Sequence, residues 1–290
     1  MRLSYPIILV CSALSLGIGG DCSRARVESM NTMNEGVTAA QRKNFGDAIQ
    51  LLNRAGAIDP GNDRVFWNLA IVYMEMRKFD EARENLTKAI AQQPDSPGYY
   101  EKLGTVLIQL QDWDGAQAAF LKAIELDDSL FKAYYKLARV AEQRDDPQSA
   151  LKYYTDAIKS GPRFLEAYSS LGRLYADLGY LDQSKQVLQE ALKVALPGTA
   201  EEADVHHLLG TVYQEQRDYD AAISEFKRAL EVVPGMRDAL FSLGWTYSLV
   251  GNIEEARRFL QKFVDVAGSE APAHYVKAAR DKLSEMQEGF

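Results

Sequence analysis

The sequence contains few of the residues that build catalytic, metal or cross-linked sites. Among 290 residues there are two cysteines and three histidines, and both cysteines, Cys11 and Cys22, lie near the N-terminus. A disulfide framework in the body of the chain is therefore excluded. The adjacent His206 and His207 point to different faces of a helix and cannot share one metal ion. Without a phosphate-binding glycine loop, a strand pattern or a catalytic grouping, we expect no enzyme activity, no metal and no cofactor.

Positive charge is also scarce. Lys and Arg number 33 against 41 Asp and Glu, which gives a net charge of −8, and no stretch forms a basic stripe. Since binding to nucleic acid needs clustered cations, we expect no nucleic-acid partner. With 47% hydrophobic and 26% charged residues, the chain can still fold and bury a sizeable core.

The only apolar run of note is at the N-terminus, and it is short. Arg2 precedes an apolar stretch from Ile7 to Ile18, whereas a membrane span needs about 20 apolar residues. Glycines follow, as in a secretory signal peptide. We predict a signal peptide at residues 1–20, a flexible leader at 21–28, and export to the periplasm or the medium.

The alternative at this end is a lipid anchor on Cys22, which would be the one membrane attachment of the chain. The preceding Gly20 and Asp21 lack the aliphatic and final small residue that bacterial lipoproteins place before the modified cysteine. We therefore favour cleavage, and keep lipidation as the alternative.

Small residues recur along the chain at a fixed period. Successive intervals are 34, 34, 34, 34, 38 and 34 residues in a column formed by Gly36, Ala70, Gly104, Ala138, Gly172, Gly210 and Gly244. The same intervals relate Ala48, Ala82, Ala116, Ala150, Ser184, Ala222 and Ala256. Within a helix a glycine costs about 1 kcal/mol relative to alanine. We infer that these positions let two helices approach closely, while bulky residues fill the space beside them.

The period predicts seven helix–turn–helix units within residues 29–270, with short polar turns such as Arg77-Lys78. The predicted units are 29–62, 63–96, 97–130, 131–164, 165–202, 203–236 and 237–270. In the 38-residue interval, Thr199 and Glu202 are spaced to cap a helix start. Residues 271–290 predict a capping helix whose apolar face is formed by Val276, Ala279, Leu283 and Met286.

The segment "WNLAIVYMEMRKFDEARENLTKAIAQQP", from Trp67 to Pro94, resembles the tetratricopeptide repeat family. The resemblance covers all seven units and implies an all-α, right-handed superhelical solenoid of seven repeats plus a C-terminal capping helix. The first unit departs from the pattern, with Glu35 in the leucine column and Ala39 in the tyrosine column, which suggests a terminal cap.

The resemblance further implies a concave groove lined by the first helix of each pair. Mapped onto this sequence, the groove residues are Trp67, Ile71, Glu101, Thr105, Tyr135, Arg139, Ser169, Arg173, His207, Thr211 and Trp245. Arg139 and Arg173 occupy equivalent places on neighbouring repeats and would together address a segment that carries carboxylates, with Tyr135 stacking beside them.

Two alternatives to this groove interpretation remain open. Arg139 could instead pair with Glu142, and Arg173 with Asp177, on the same helix. The indoles of Trp67 and Trp245 could be packed between repeats rather than form anchor pockets. His206 falls in an aromatic column and is predicted to be a packing residue.

These observations predict a non-enzymatic interaction scaffold outside the cytoplasm that binds an extended peptide or a helix. The resemblance implies a role in assembling an envelope complex. The lysine and asparagine clamp by which related chaperone cofactors hold acidic C-termini is absent. A carrier of a small glycan or lipid is the alternative function, and a hydrolase hidden in the repeats is the least favoured. The oligomeric state is left open.

Overall fold

The computed structural model describes residues 20–268 and 272–288, and this part of the chain forms fifteen helices without a strand. The predicted all-α fold is therefore confirmed. Residues 1–19 of the predicted signal peptide and the side chain of Cys22 lie outside the described part. The helices are α1 (Gly20–Gln41), α2 (Phe45–Ile58), α3 (Asp63–Glu75), α4 (Phe79–Gln92), α5 (Pro97–Gln109), α6 (Trp113–Leu126), α7 (Phe131–Gln143), α8 (Pro147–Ser160), α9 (Leu165–Asp177), α10 (Leu181–Val194), α11 (Ala200–Glu215), α12 (Tyr219–Val232), α13 (Arg237–Leu249), α14 (Ile253–Ala267) and α15 (Ala273–Glu288).

Consecutive helices form seven pairs, and α15 stands alone at the end. Five pairs begin at the residue where the sequence predicts a unit, namely 63, 97, 131, 165 and 237. The first pair differs because α1 already begins at Gly20, so residues 21–28, predicted as a flexible leader, are helical. Further along α1, Ser29 is buried, and its hydroxyl donates to the carbonyl of Ala55 on α2 at 2.9 Å.

The pair α11–α12 also begins early, at Ala200 instead of residue 203. Helix α11 has 16 residues, whereas α9 and α13 have 13, so most of the longer interval forms one added turn at the start of α11. The hydroxyl of Thr199 accepts the N–H of Glu202 at 3.3 Å. The Glu202 carboxylate in turn accepts the N–H of Gly198 at 2.7 Å, so side chains satisfy backbone donors at this helix start.

The turn between the two helices of each pair contains one residue with a left-handed backbone. This residue has φ between 57° and 79° in a column formed by Lys43, Arg77, Gln111, Asp145, Gly179, Arg217 and Gly251. In the second pair the N–H of Lys78 donates to Tyr73 O at 2.9 Å, and that of Arg77 donates to Met74 O at 3.0 Å. This is the Schellman arrangement, which satisfies the last carbonyls of the helix and reverses the chain.

The small-residue columns lie where paired helices touch. A Cβ built on Gly210 would lie 2.6 Å from the ring of Phe226, and one on Gly172 would lie 2.6 Å from Leu188. The glycines therefore set the helix separation, as the sequence predicted. Ser184, the exception in the alanine column, is fully buried and donates its hydroxyl to the carbonyl of Gly172 at 2.7 Å.

The chain divides into two compact units, residues 1–94 and 95–290. In the first unit, α1 to α3 pack around Leu52, Val65 and Leu69, and α4 packs against α3. In the second, each pair from α5 to α14 packs against the next, and the first helices α9, α11 and α13 also contact one another. Helix α15 covers the last pair by burying the predicted face of Ala279, Leu283 and Met286.

Within the described residues, no helix combines the length and apolar character that a membrane crossing requires.

Candidate functional site

A groove runs along the first helices of the second unit. It consists of two adjoining cavities of about 430 and about 770 Å³, which share Asp204, His207, Met236 and Asp238. Tyr135 on α7 lines one end and Tyr275 on α15 the other, so we call this surface the α7–α15 groove.

Five of the eleven predicted groove residues line the α7–α15 groove: Tyr135, Ser169, Arg173, His207 and Thr211. Glu101, Thr105, Arg139 and Trp245 belong to the same unit but do not line either cavity. Trp67 and Ile71 lie half-buried on α3 of the first unit.

Glu101 and Thr105 on α5 are held by a residue that sequence reasoning missed. The ammonium of Lys136 on α7 lies 3.0 Å from Glu101 Oε1 and 2.9 Å from Thr105 Oγ1. The Glu101 side chain is only 18% exposed. Burial, together with Lys136 and Lys132, lowers the pKa of the neighbouring Lys102, while Glu101 opposes that shift. These polar groups therefore connect α5 and α7 to one another.

Arg139 and Arg173 are exposed, and neither forms an ion pair or hydrogen bond with the described residues. The local pairs that the sequence offered as an alternative do not form. Glu142 instead accepts a hydrogen bond from the hydroxyl of Tyr154 across the helix pair, so it is engaged elsewhere. Both guanidinium groups consequently remain available to a carboxylate.

The ring of Tyr135, which lines the same cavity as Arg173, is held by aromatic neighbours. Its centroid lies 5.1 Å from that of Phe164, edge-on, and 5.6 Å from that of Tyr154. Its hydroxyl accepts from Ser170 on α9 at 3.5 Å. A rigid, half-buried tyrosine of this kind contributes contact area at a small entropic cost.

The two adjacent histidines have different environments. His206 is buried, and its Nδ1 lies 2.6 Å from the carboxylate of Glu225 on α12, as suits the predicted packing residue. His207 faces the groove, and its Nε2 lies 3.1 Å from the hydroxyl of Ser242. Burial lowers the pKa of His207, and the nearby Asp238 opposes that shift. The His207 imidazole is therefore mainly neutral at pH 7.

Four carboxylates line the groove, and the sequence analysis named none of them. They belong to Glu166 on α9, Glu201 and Asp204 on α11, and Asp238 on α13. Burial is the main cause that raises the pKa of Asp204, and the charges of Glu201 and Asp238 raise it further. None of the four forms an ion pair with a described residue. Glu166, Asp204 and Asp238 are 38 and 34 residues apart, which are intervals of the repeat, so they form one column that the sequence analysis did not extend to them. Glu201 lies three residues before Asp204 on the same helix.

The far end of the groove is aromatic. Phe241 lies between Trp245, whose ring centroid is 5.7 Å away, and Tyr275, at 4.9 Å. The predicted Trp245 is thus half-buried and stacked on Phe241. Phe241 was missed, although it lies 34 residues after His207 in the same column and could have been found by extending that column.

Among the described residues, no group of three His, Cys, Asp or Glu side chains is placed to hold a metal ion. What the α7–α15 groove offers is unpaired charge of both signs beside fixed aromatic rings. Such surfaces recognise other molecules by contact.

Fold and groove together define a class of protein: an all-α repeat protein that presents one face of its stacked first helices. Tetratricopeptide repeat family models match residues 39–105 and 213–279, 163–235, and 97–129 and 131–162. The chain belongs to the tetratricopeptide repeat family. No curated protein matches it in sequence.

Several solved structures are similar to this chain. MamA is 26% identical, with a TM-score of 0.54 over 58% of this chain and 91% of MamA. YrrB, described as a TPR protein with an unusual peptide-binding site, is 25% identical, with a TM-score of 0.54 over 69% of this chain and 100% of YrrB. The C-terminal part of a TPR protein from Cytophaga hutchinsonii is 15% identical, with a TM-score of 0.71 over 87% of this chain and 99% of that one, and it shows the shared fold alone.

Proposed function

We propose that this protein is a non-enzymatic scaffold that binds a peptide segment of a partner protein in the α7–α15 groove. The observation that carries the proposal is the unpaired state of Arg173, which lines the groove with Tyr135, and of the equivalent Arg139 on α7, which is exposed outside both cavities. A cation without a protein partner gains most from a ligand that supplies a carboxylate. The similarity to YrrB, described as having a peptide-binding site, supports the same kind of ligand.

We further propose that the scaffold works outside the cytoplasm, where it assists assembly of an envelope complex. Support comes from the N-terminal sequence, in which Arg2 and a short apolar run precede small residues. Attachment to a membrane would arise only through lipidation of Cys22.

The test is a cross-linked capture of partners from the envelope fraction with the wild-type chain and with an Arg139→Glu, Arg173→Glu variant. The control is Arg42→Glu, Arg163→Glu, which makes the same change in net charge at exposed residues outside the groove. Circular dichroism establishes that all three proteins are folded. We expect a partner that the wild type and the control retain and that the groove variant loses.

A partner retained by all three proteins would contradict the role of the arginines. If the chain captured no protein but co-purified with a glycan or lipid, the scaffold proposal would be wrong and the carrier function would take its place.

A further inference from the structure

Helix α7 carries an acidic residue within reach of Arg139, and a buried tyrosine holds that residue. Glu142 follows Arg139 by three residues, a spacing at which opposite charges on a helix can pair. Its carboxylate instead accepts the hydroxyl of Tyr154 on α8. We propose that Tyr154 is a positioning residue that keeps Glu142 away from Arg139, so that the Arg139 guanidinium stays available to a ligand. This rests on the proposed function, in which Arg139 is one of two cations offered to the partner.

The hydroxyl of Tyr154 needs a hydrogen-bond partner inside the helix pair. The side chain is fully buried in an apolar cluster with Leu171 and Leu174. Burial raises the pKa of the Tyr154 hydroxyl, and the hydrogen bond to Glu142 raises it further, so the hydroxyl keeps its proton and acts as the donor. A buried hydrogen bond to a charged group contributes more to stability than an exposed ion pair on a helix surface. Glu142 therefore stays with Tyr154.

Arg139 is the cation on α7 that a released Glu142 would reach. The residues three and four positions from Glu142 are Ala138, Arg139, Asp145 and Asp146. Arg144, two positions further on, forms an ion pair with Asp114 on α6. Without the Tyr154 hydroxyl, the Glu142 carboxylate would consequently turn to Arg139 and compete with the ligand for it.

Both members of this contact are exceptions in their columns of the repeat. At the position of Tyr154 the other pairs have Leu52, Leu86, Phe120, Leu188, Phe226 and Leu260. At the position of Glu142 they have Ala40, Met74, Ile108, Ala176, Gln214 and Ser248. Leucine and phenylalanine fill the same interior space, so packing alone does not require the hydroxyl. The single tyrosine and the single acidic residue of these columns occur in the same pair, and this pair carries Arg139.

Tyr154 also supports the groove through its ring. The centroid of that ring lies 5.6 Å from the ring of Tyr135, which lines the cavity beside Arg173. Tyr154→Phe retains this ring contact and removes the hydroxyl alone. The variant therefore tests the hydrogen bond to Glu142 without taking away the support of Tyr135.

The test measures the accessibility of Arg139 directly and needs no ligand. Phenylglyoxal modifies exposed arginines, and mass spectrometry of proteolytic peptides from the full chain gives separate rates for Arg139 and Arg173. Arg173 is the internal reference, since its pair has Leu188 in place of Tyr154. In Tyr154→Phe we expect Arg139 to react about two- to threefold more slowly relative to Arg173, because a local ion pair protects it part of the time. In about 0.5 M NaCl, which screens exposed pairs, the difference should shrink.

Glu142→Gln supplies the rescue. In the double variant Tyr154→Phe, Glu142→Gln the ratio of the two rates should return to the wild-type value, because a neutral amide does not pair with Arg139. Glu142→Gln alone should leave the ratio unchanged, since glutamine keeps an acceptor for the Tyr154 hydroxyl. The matched control is Tyr153→Phe on the same helix, whose hydroxyl forms no hydrogen bond within the described part of the chain. It should react as the wild type does.

An unchanged ratio in folded Tyr154→Phe, or a slow Arg139 in the double variant, would overturn the proposal. If Tyr154→Phe did not fold, Glu142→Gln alone would decide: faster modification of Arg139 would show that Glu142 already shields it in the wild type and would overturn the proposal. Capture of partners from the envelope fraction with Tyr154→Phe separates this proposal from the proposed function. Slower modification with undiminished capture would leave the role of Tyr154 standing and contradict that of Arg139 in binding.

Discussion

Single residues set the spacing of the paired helices, and Gly210 is the clearest case because Phe226 fills the space where its Cβ would lie. We predict that Gly210→Ala lowers the free energy of unfolding by about 1 kcal/mol. Overpacking costs about 1–3 kcal/mol, whereas the better helix propensity of alanine returns up to about 1 kcal/mol. Urea denaturation followed by circular dichroism measures the change.

Gly235→Ala is the matched control, since a Cβ at that position meets nothing within 4 Å. Its unfolding free energy should stay within about 0.5 kcal/mol of the wild type. Adding Phe226→Leu to Gly210→Ala should recover part of the loss, as in the helix pair α3–α4, where Ala70 and Leu86 occupy these columns. Equal stability of Gly210→Ala and Gly235→Ala would show that the packing argument is wrong.

Asp204 gives a prediction about pH. Its pKa in the folded chain is raised above the ordinary 3.8, so the folded state holds this proton more tightly than the unfolded state. The contribution of Asp204 is most favourable below pH about 4 and is lost as pH rises through the folded pKa. Asp204→Asn should therefore be more stable than wild type at pH 7, by less than about 1 kcal/mol because the side chain is partly exposed.

Thermal unfolding at pH 3.5 and pH 7 measures this difference, which should shrink at the lower pH. A variant that is less stable than wild type at pH 7 would indicate that Asp204 is a structural residue. Greater stability at pH 7 that disappears at pH 3.5 would confirm that the negative charge of Asp204 is unfavourable in the folded protein.

The contacts that the sequence analysis missed are between side chains on different helices. The small columns were visible because they recur along the chain, and they located the helix pairs. Lys136 reaching Glu101 depends on lateral distances and side-chain directions that no periodicity encodes. Asp204 and Asp238, in contrast, are 34 residues apart and could have been found as a column.

At the scale of elements, the two helices of each pair are joined by a turn that contains one residue with a left-handed backbone, and substitutions at this residue test what that conformation costs. Arg217 has φ of 63°, whereas the equivalent Gly251 has φ of 78°. A residue with a Cβ costs about 1–2 kcal/mol in this conformation. We predict that Arg217→Gly raises the unfolding free energy by about 0.5–1 kcal/mol, after the entropy that glycine adds to the unfolded chain.

The reverse substitution, Gly251→Ala, should lower it by about 1 kcal/mol, and urea denaturation measures both. If the backbone conformation alone is responsible, the unfolding free energy should rise in Arg217→Gly and fall in Gly251→Ala. If both variants were destabilised, the side chain of Arg217 would have a role that its turn geometry does not show.

Helix α15 is the element that ends the repeats of the second unit. We predict that Leu283→Ala, at a side chain only 8% exposed, costs about 2–3 kcal/mol. Hydrogen exchange should then speed up in α13, α14 and α15, since a terminal repeat opens locally when its cap is weakened. Ser284→Ala, at the exposed neighbour, should leave exchange unchanged; equal effects would contradict the capping role.

At the scale of the whole molecule, the organisation of the first unit was partly misjudged because its signals conflict. Glu35 and Ala39 break the repeat pattern, and the residues before Ser29 carry no small-residue column, so the sequence indicated a leader. The structure continues the helix to Gly20. Arg24, Arg26, Val27 and Glu28 of this extension are exposed, and burial begins at Ser29, whose hydroxyl donates to the carbonyl of Ala55 on α2. The extension therefore continues a helix that is anchored further along the chain.

The proposed export of the whole chain has a direct test. We predict that protein isolated from the cells that make it begins after residue 20, as signal-peptide cleavage requires. Intact-mass spectrometry of the envelope and secreted fractions measures this terminus. A diacylated Cys22 would establish the lipid-anchor alternative, whereas protein that retains Met1 would contradict both.

The added turn of α11 changes the surface of the groove without changing how the helix packs. It precedes Val205, which stays in the buried column of Ala133, Ala167 and Ala239, so the helix grows at one end without rotating its packed face. A longer helix start at this position therefore changes the residues that line the groove, such as Glu201, while the buried face keeps its register. A similar turn grafted onto α9 or α13 would offer a route to new binding preferences on the same scaffold.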